Sequence, residues 1–393
     1  MSALAGMRRV ARPGSWVAFG VPAVLLAAAS VLAAGRAGNR KEMPQQTTAP
    51  FPSSLASTGL YFDFAAKKID PMNLPYAPQY PLWSDGATKR RWIRVPAGAA
   101  IDASDPDVWI FPAGTKIWKE FSFGGRRVET RLIESLGRGV LRFAAYAWNA
   151  DETEAVLVPE SGLPDVVEIA PGIRHDIPGV YDCRACHRSR TDEVLGFSAL
   201  QLSPDRDPEA PHAEAVTAGM IDLESLISRR LLANAPAEWS ERAALRIHAA
   251  SGTARAALGT MHANCGNCHN VNTPLVARGL VLRYTVAPRA DGAARILSAV
   301  NEASTYPIPG VTPAEAVMIK PGDPARSAVV FRMATRNPLR QMPPLGTKIV
   351  DSESLALIEK WIRQDLGGAE KARTAGGRNV RGGRGCLVSK EAR

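Results

Sequence analysis

Cys265-Gly-Asn-Cys-His269 and Cys183-Arg-Ala-Cys-His187 spell one pattern twice, Cys-x-x-Cys-His, with 78 residues, 187 to 264, between Cys186 and Cys265. Two cysteines separated by two residues can each add a thiol to one of the two vinyl groups of a haem. The histidine that follows at once is placed to bind the iron from one side, which is the attachment signature of a c-type haem. With 5 Cys and 6 His in 393 residues, chance supplies on the order of 0.001 such matches per chain. The pair therefore predicts two covalent haems c, with Cys183, Cys186, Cys265 and Cys268 as attachment points and His187 and His269 as proximal iron ligands.

Other uses of paired cysteines fit less well. A zinc ribbon also carries two Cys-x-x-Cys pairs, but with a spacer of about 15–20 residues. A thioredoxin-like redox pair needs no histidine directly after it, let alone twice. The fifth cysteine, Cys386, stands apart in a Gly/Arg-rich stretch as a bystander.

The formal net charge of +10 would point to nucleic acid if it were spread over the chain. It is not. Residues 1–41 carry +6 and residues 368–393 carry +5, which leaves −1 for 42–367. A near-neutral body with two basic ends gives no reason to expect a nucleic-acid partner. At the N-terminus, Arg8, Arg9 and Arg12 precede an uncharged run from Trp16 to Ala34 with small residues at its end. That is the pattern of a signal peptide. Nineteen uncharged residues are also just long enough for an N-terminal membrane anchor. Either way the body is expected outside the cytoplasm, in the periplasm, where c-type haems are attached.

Along the chain the periodicity changes once. Residues 1–36 form the signal peptide or anchor, and 37–60 a polar linker with Pro50 and Pro52. In 61–172 strand patterns dominate. Ile117, Lys119, Phe121 and Phe123 alternate with Trp118, Glu120 and Ser122; Gly124-Gly125 follows; then Val128, Thr130 and Leu132 alternate with Glu129, Arg131 and Ile133. A Gly-Gly pair between alternating runs predicts a hairpin. A second hairpin is expected where Leu141–Trp148 meets Ala155–Val158. Five of the eight tryptophans fall here, and they read either as core residues or as an aromatic binding surface. Lys89-Arg90-Arg91 reads as a solvated strand end, or as a docking patch for an acidic redox partner.

Beyond 172 the strand pattern fades, and 173–252 and 253–367 read as a first and a second haem region. Asp222 caps a helical spacing of Leu223, Leu226 and Ile227, Glu241–Ala250 is alanine-rich and helical in pattern, and Thr253 opens a helix into the Cys265 motif. Asp351 caps a last helix with Leu355, Ile358, Trp361 and Ile362 on its apolar face. Residues 368–393 read as a disordered basic tail. The expected fold is thus α+β and multidomain, an all-β, sandwich-like module followed by a mainly α-helical diheme cytochrome c region.

For the second haem, Gln341-Met-Pro-Pro-Leu-Gly346 supplies a distal ligand in Met342, 73 residues after His269. Prolines fix φ and lack an N–H, so they hold an extended loop, and a thioether opposite histidine raises the reduction potential. Met318 and Met333 lack that setting and read as packing residues. No such loop follows the first motif. Its sixth-ligand candidates are His175, His212, Met220, His248, Met261 and His262, with Met220 the leading methionine, or the position is open.

Together these segments resemble a family of bacterial diheme c-type cytochromes of uncharacterised role. The resemblance covers most of 56–367. It is carried by Tyr80-Pro-Leu-Trp-Ser-Asp-Gly-Ala87, Phe111-Pro-Ala-Gly-Thr115, Lys119-Glu-Phe121, Glu129-Thr-Arg131, Tyr146-Ala-Trp-Asn149 and Ile177-Pro178. Asn264-Cys-Gly-Asn-Cys-His269 and Met342-Pro-Pro-Leu-Gly-Thr347 complete it. It implies the same proximal histidines and Met342 as a distal ligand, and it supplies no substrate. The long basic tail departs from the pattern. The function expected is single-electron transfer between redox protein partners, a dehydrogenase or quinone-linked donor and a terminal acceptor. Two alternatives stand beside it: a peroxidase-like diheme enzyme with an open first haem, and a β-type binding module with a cytochrome outlet.

Overall fold

The alternation through 116–148 builds the largest element of the structure, a computed structural model that describes residues 49–188, 191–240, 245–273, 280–287 and 291–369. The N-terminal signal or anchor, the first part of the linker and all but two residues of the basic tail lie outside the described residues. A short hairpin, β1 (Tyr61–Asp63) and β2 (Lys68–Ile69), comes first, followed by β3 (Leu74–Pro75), β4 (Thr88–Arg94) and β5 (Ile101–Asp102). Then come β6 (Lys116–Phe123), β7 (Arg126–Gly137), β8 (Val140–Trp148) and β9 (Ala155–Leu157). β3, β4, β6, β7, β8 and β9 form one antiparallel sheet in that order. Both expected hairpins are present. Gly124 and Gly125, which join β6 to β7, have φ of 56° and 80°, the left-handed pair that a tight hairpin turn requires and that glycine adopts at least cost.

The period of two separates the sheet's faces. Trp92, Trp118, Leu132, Tyr146 and Trp148 point to one side and pack with Leu55, Leu60 and Tyr61. The second half of the expected linker is therefore part of the folded body, because its apolar residues fill this core. Ile93, Ile117 and Phe143 point to the other side and pack with Tyr76, Phe197, Leu202, Leu226 and Trp239. Four of the five β-region tryptophans, Trp92, Trp109, Trp118 and Trp148, are buried. Each large apolar side chain so buried contributes about 1.5–3 kcal/mol. They are core, and the aromatic surface on which a binding module would rest is not formed by them.

The sandwich expectation needs correction. One six-stranded sheet is accompanied by three two-stranded ones, and its second face is covered by the following part of the chain. Nor does the strand pattern stop at 172. β10 (Leu163–Ala170) pairs with β11 (Ile173–Ile177), and β12 (Leu232–Ala233) pairs in parallel with β5. The 173–252 segment thus shares both a sheet and a core with the β region. The described residues from Phe51 onward form a single compact unit.

Helices are fewer than expected. α1 (Val180–His187), α2 (Leu223–Ser228), α3 (Gly252–Asn264), α4 (Ala294–Leu297), α5 (Ala328–Met333) and α6 (Ser352–Trp361) are joined by long irregular segments. Helix makes up 22% and strand 23%, so the second half is not mainly helical. Prolines at 307, 309, 313, 321, 324, 338, 343 and 344 remove backbone donors along 301–348 and keep that stretch from continuing as helix. Leu245–Ala250 are also not α-helical. Asp222, Ser251 and Asp351 cap α2, α3 and α6 with their side chains, as their residue types favour. α3 and α6 pack through Leu258, Met261, Ile358 and Trp361 into a third core, which also takes in Tyr80 from the β region.

Candidate functional site

The first motif occupies the last turn of α1, so Cys183, Cys186 and His187 leave one short helix together. Pro178 precedes it, and Asp182 accepts a hydrogen bond from the Gly179 N–H at 2.9 Å, which fixes its first turn. His187 Nδ1 lies 2.7 Å from the carbonyl oxygen of Glu193. A carbonyl can only accept, so Nδ1 carries the proton and Nε2 keeps a free lone pair. Burial pushes this imidazole down to about 4, against a small upward pull from Glu193 and with Lys119 and Arg131 adding to the drop. The ring is neutral at pH 7, the form that binds a metal.

The second motif follows α3 without a break. Asn267 donates to the Ala263 carbonyl at 2.9 Å, and Asn270 donates to those of Gly266 and Asn267 at 2.9 Å each. These bonds satisfy carbonyls that a helix end leaves orphaned. His269 is likewise lowered, by burial and then by Arg332. Its Nδ1 is buried without a hydrogen-bond partner, although the Leu280 backbone lies near enough to favour the protonated form slightly.

The Met-Pro-Pro loop is held from three sides. Gln341 Nε2 donates to the carbonyls of Pro343, Pro344 and Thr347 at 3.2–3.4 Å. Arg336 donates to Thr347 Oγ1 at 2.9 Å and to the Met342 carbonyl at 3.2 Å. Asp85, from the Tyr80–Ala87 segment, accepts from the Lys348 and Ile349 N–H groups at 2.8 Å each. Its neighbour Trp83 donates to the Ile349 carbonyl at 3.0 Å, and its N–H reaches Asn264 Oδ1 at 2.8 Å. One short β-region segment therefore ties the loop to the residue before Cys265.

A single cavity of about 1040 Å³ is lined by all four motif cysteines, His187, His269 and Met342. That is at or beyond the upper end of the range for one drug-sized ligand, about 300–1,000 Å³. Where the two halves meet, Cys268 Sγ approaches the Ala185 carbonyl at 3.7 Å, and the Cys186 and Cys268 thiols interact, Cys186 pushed up and Cys268 down to about 7. Cys183 is pushed up to about 11 and Cys265 to about 12 by burial. No disulfide joins these four.

One wall of the cavity is the sheet. Arg91, Lys119 and Arg131 stand side by side in register on β4, β6 and β7, with Ile93, Ile117, Ile133 and Phe143 in the next row. Phe143 is 5.0 Å from the His187 ring. Arg91 is paired with Glu214. Arg131 meets Glu129 at 3.0 and 2.6 Å, and Glu129 also faces His175 Nε2 at 3.0 Å. Burial would raise the fully buried Glu129, but Arg131 and His175 outweigh it and hold the carboxyl at about 2. Lys89 and Arg91 are 8% and 3% exposed. The solvated strand end and the docking patch read from Lys89-Arg90-Arg91 are both corrected: two of the three point inward, and Arg90 is paired with Glu120.

Of the sixth-ligand candidates for the first motif, His175 and Met261 line the cavity and the others do not. Met220 lies elsewhere, its sulfur 3.5 Å from the Thr217 N–H. His212 is paired with Asp351 at 2.7 Å and Glu353 at 3.3 Å, His248 is exposed, and His262 lines a separate cavity of about 40 Å³. Met318 and Met333 also face the large cavity. Lys119, Arg131, Trp83 and Asp85 were not singled out as site residues from sequence, though each lies in a segment that carries the family resemblance.

The donor set suits a haem. Neutral imidazoles, a thioether, paired thiols, an apolar wall and cations for propionate carboxylates all face one space. Among the described residues no three Cys, His, Asp or Glu side chains converge to hold a metal ion. The tetrahedron that a zinc ribbon needs is thus not formed by them, whereas a c-type haem asks the chain for one or two axial ligands. Also among the described residues, no helix is long and apolar enough to cross a membrane. No family model matches the chain, and no curated protein and no solved structure gives a significant match.

Proposed function

We propose that the chain is an exported diheme c-type cytochrome that passes single electrons between periplasmic redox proteins, with membrane association through its N-terminal hydrophobic run as an open variant. The observation that carries this is the shared cavity: two Cys-x-x-Cys-His motifs, with 77 residues between them, line one space together with Met342. When bound, a c-type haem supplies reversible one-electron exchange at its iron. Cys183, Cys186, Cys265 and Cys268 would hold the two groups covalently. His187 Nδ1 is held by the Glu193 carbonyl, which leaves Nε2 as the nitrogen that would ligate the iron, the usual way an outer hydrogen bond fixes a metal-binding histidine. Met342 is positioned by Gln341, Arg336 and Asp85, which would set a His/Met pair at the second site and a raised potential there. The resemblance to bacterial diheme cytochromes agrees with this reading and leaves the donor and acceptor proteins open.

The test is a visible spectrum and redox titration of protein matured in a host that attaches c-type haems. Two haems that survive denaturation and titrate reversibly are expected. Absence of covalent haem, or of any reversible wave, overturns the proposal. A first haem that is high-spin and binds cyanide would favour the peroxidase-like alternative.

A further inference from the structure

We infer that Lys119 is the sixth, distal ligand of the first haem, a role that rests on the diheme reading above. Its side chain faces the shared cavity from the middle of β6, between Arg91 and Arg131 on the neighbouring strands. The other cations of this wall have acceptors: Arg91 has Glu214, Arg131 has Glu129, and Lys89 Nζ donates to the Leu82 carbonyl at 2.8 Å. For Lys119 no hydrogen bond or ion pair is formed with the described residues. Its closest assigned partner is the Phe121 ring, with Nζ 4.9 Å from the centroid. An ammonium in that position would have no protein acceptor among the described residues and would stand near Arg91, Lys89 and Arg131, with only Glu214 opposing them. Burial, then Arg91, Lys89 and Arg131, accordingly hold the amine far below its ordinary range. Such an amine gives up its proton more readily than an ordinary lysine, and its nitrogen then has a lone pair to offer a metal. A haem iron bound by His187 asks for such a donor.

Position on the sheet selects Lys119 over His175. Phe143, which touches the His187 ring, lies in the row of Ile117 and Ile133, and Lys119 lies one row further along. Successive rows on one face are about 6.8 Å apart; Nζ rests toward the Phe121 row, and the four-carbon side chain is long enough to turn back across that gap. His175 reaches the sheet at Glu129, opposite Phe121 and a further row away, and its ring is held there by that carboxylate. The other histidine and methionine candidates, Met261 apart, do not line the cavity, and Met261 is packed in the α3 core.

EPR of the oxidised holoprotein, with haem counted in parallel, tests this. Wild type is expected to show two low-spin haems. In Lys119→Leu, an apolar replacement that needs no partner, one haem per chain should become high-spin and gain the ability to bind cyanide. Lys119→His, which restores a nitrogen donor, should return it to low spin with a changed signal. Two haems that remain low-spin in Lys119→Leu, or a wild type already half high-spin, would overturn the assignment while leaving the diheme reading intact. Absence of covalent haem in wild type would remove both.

Discussion

The same five-residue pattern is built into two different surroundings. At the second site α3 runs straight into the motif, the Met-Pro-Pro loop closes from the same half of the chain, and Gln341, Arg336 and Asp85 fasten that loop. At the first site α1 is only eight residues long, and what faces it across the cavity is a sheet wall bearing Lys119 and Arg131. A covalent anchor is local and can be repeated by copying a pentapeptide. The far side of each pocket is tertiary and has been supplied by different means. On the diheme reading, a thioether at one site and nitrogen or an open face at the other would separate the two potentials.

The strongest way to break the comparison is to remove one anchor. Cys183→Ala with Cys186→Ala should leave one covalent haem per chain, measured as haem per protein after denaturation, with the His269/Met342 spectrum retained. Loss of both haems would mean that the second site cannot form without the first.

Next in size is the buried pair behind the first motif. Glu129→Gln leaves Arg131 and His175 without their carboxylate, and breaking such a pair costs about 3–5 kcal/mol, readable as a lower denaturant midpoint. The pH dependence follows with it. The folded carboxyl sits at about 2 against an ordinary value of 4.5. The stabilisation is therefore complete above pH 4.5 and is lost as pH falls toward 2. At about 1.4 kcal/mol per unit the loss is about 3 kcal/mol. Wild type should show this decline, and Glu129→Gln should lack that part of it.

A third change acts on the second site from behind. A Cβ added at Gly259 in α3 would meet the Tyr80 ring at 2.1 Å, and Tyr80 is fully buried and bonded to Asp207 at 2.9 Å. Gly259→Ala should cost about 1–3 kcal/mol by overpacking, seen as a lower melting temperature. The smallest effect is expected for Asp85→Asn, which keeps an acceptor for Lys348 and Ile349 but removes its charge. About 1 kcal/mol should be lost, with a weakened Met342 band in the oxidised spectrum and no change at the first haem.

How much of this could be read from the chain alone follows from the same contrast. The hairpin at Gly124-Gly125 and the caps Asp222 and Asp351 are local patterns, and each stands where its residues imply; the motifs and Met342 are local patterns too, and the fold brings them to one cavity. Lys119 could not be placed from the pattern, because alternation identifies two faces but not which one meets the rest of the protein. Here both faces are covered, so Trp118 and Lys119 each point into the interior. β11 and β12 escaped notice because short strands paired to distant partners carry little periodic signal. The helical expectation for the second half failed for want of weight given to its prolines.

The central claim is that both haems share one cavity, their cysteines meeting at Cys186 and Cys268. Circular dichroism in the Soret region of the oxidised holoprotein tests it most directly. Two haems held edge to edge should give a bisignate couplet that vanishes when Cys183 and Cys186 are both replaced by alanine. A spectrum equal to the sum of two independent haems, unchanged in shape when one is removed, would contradict it.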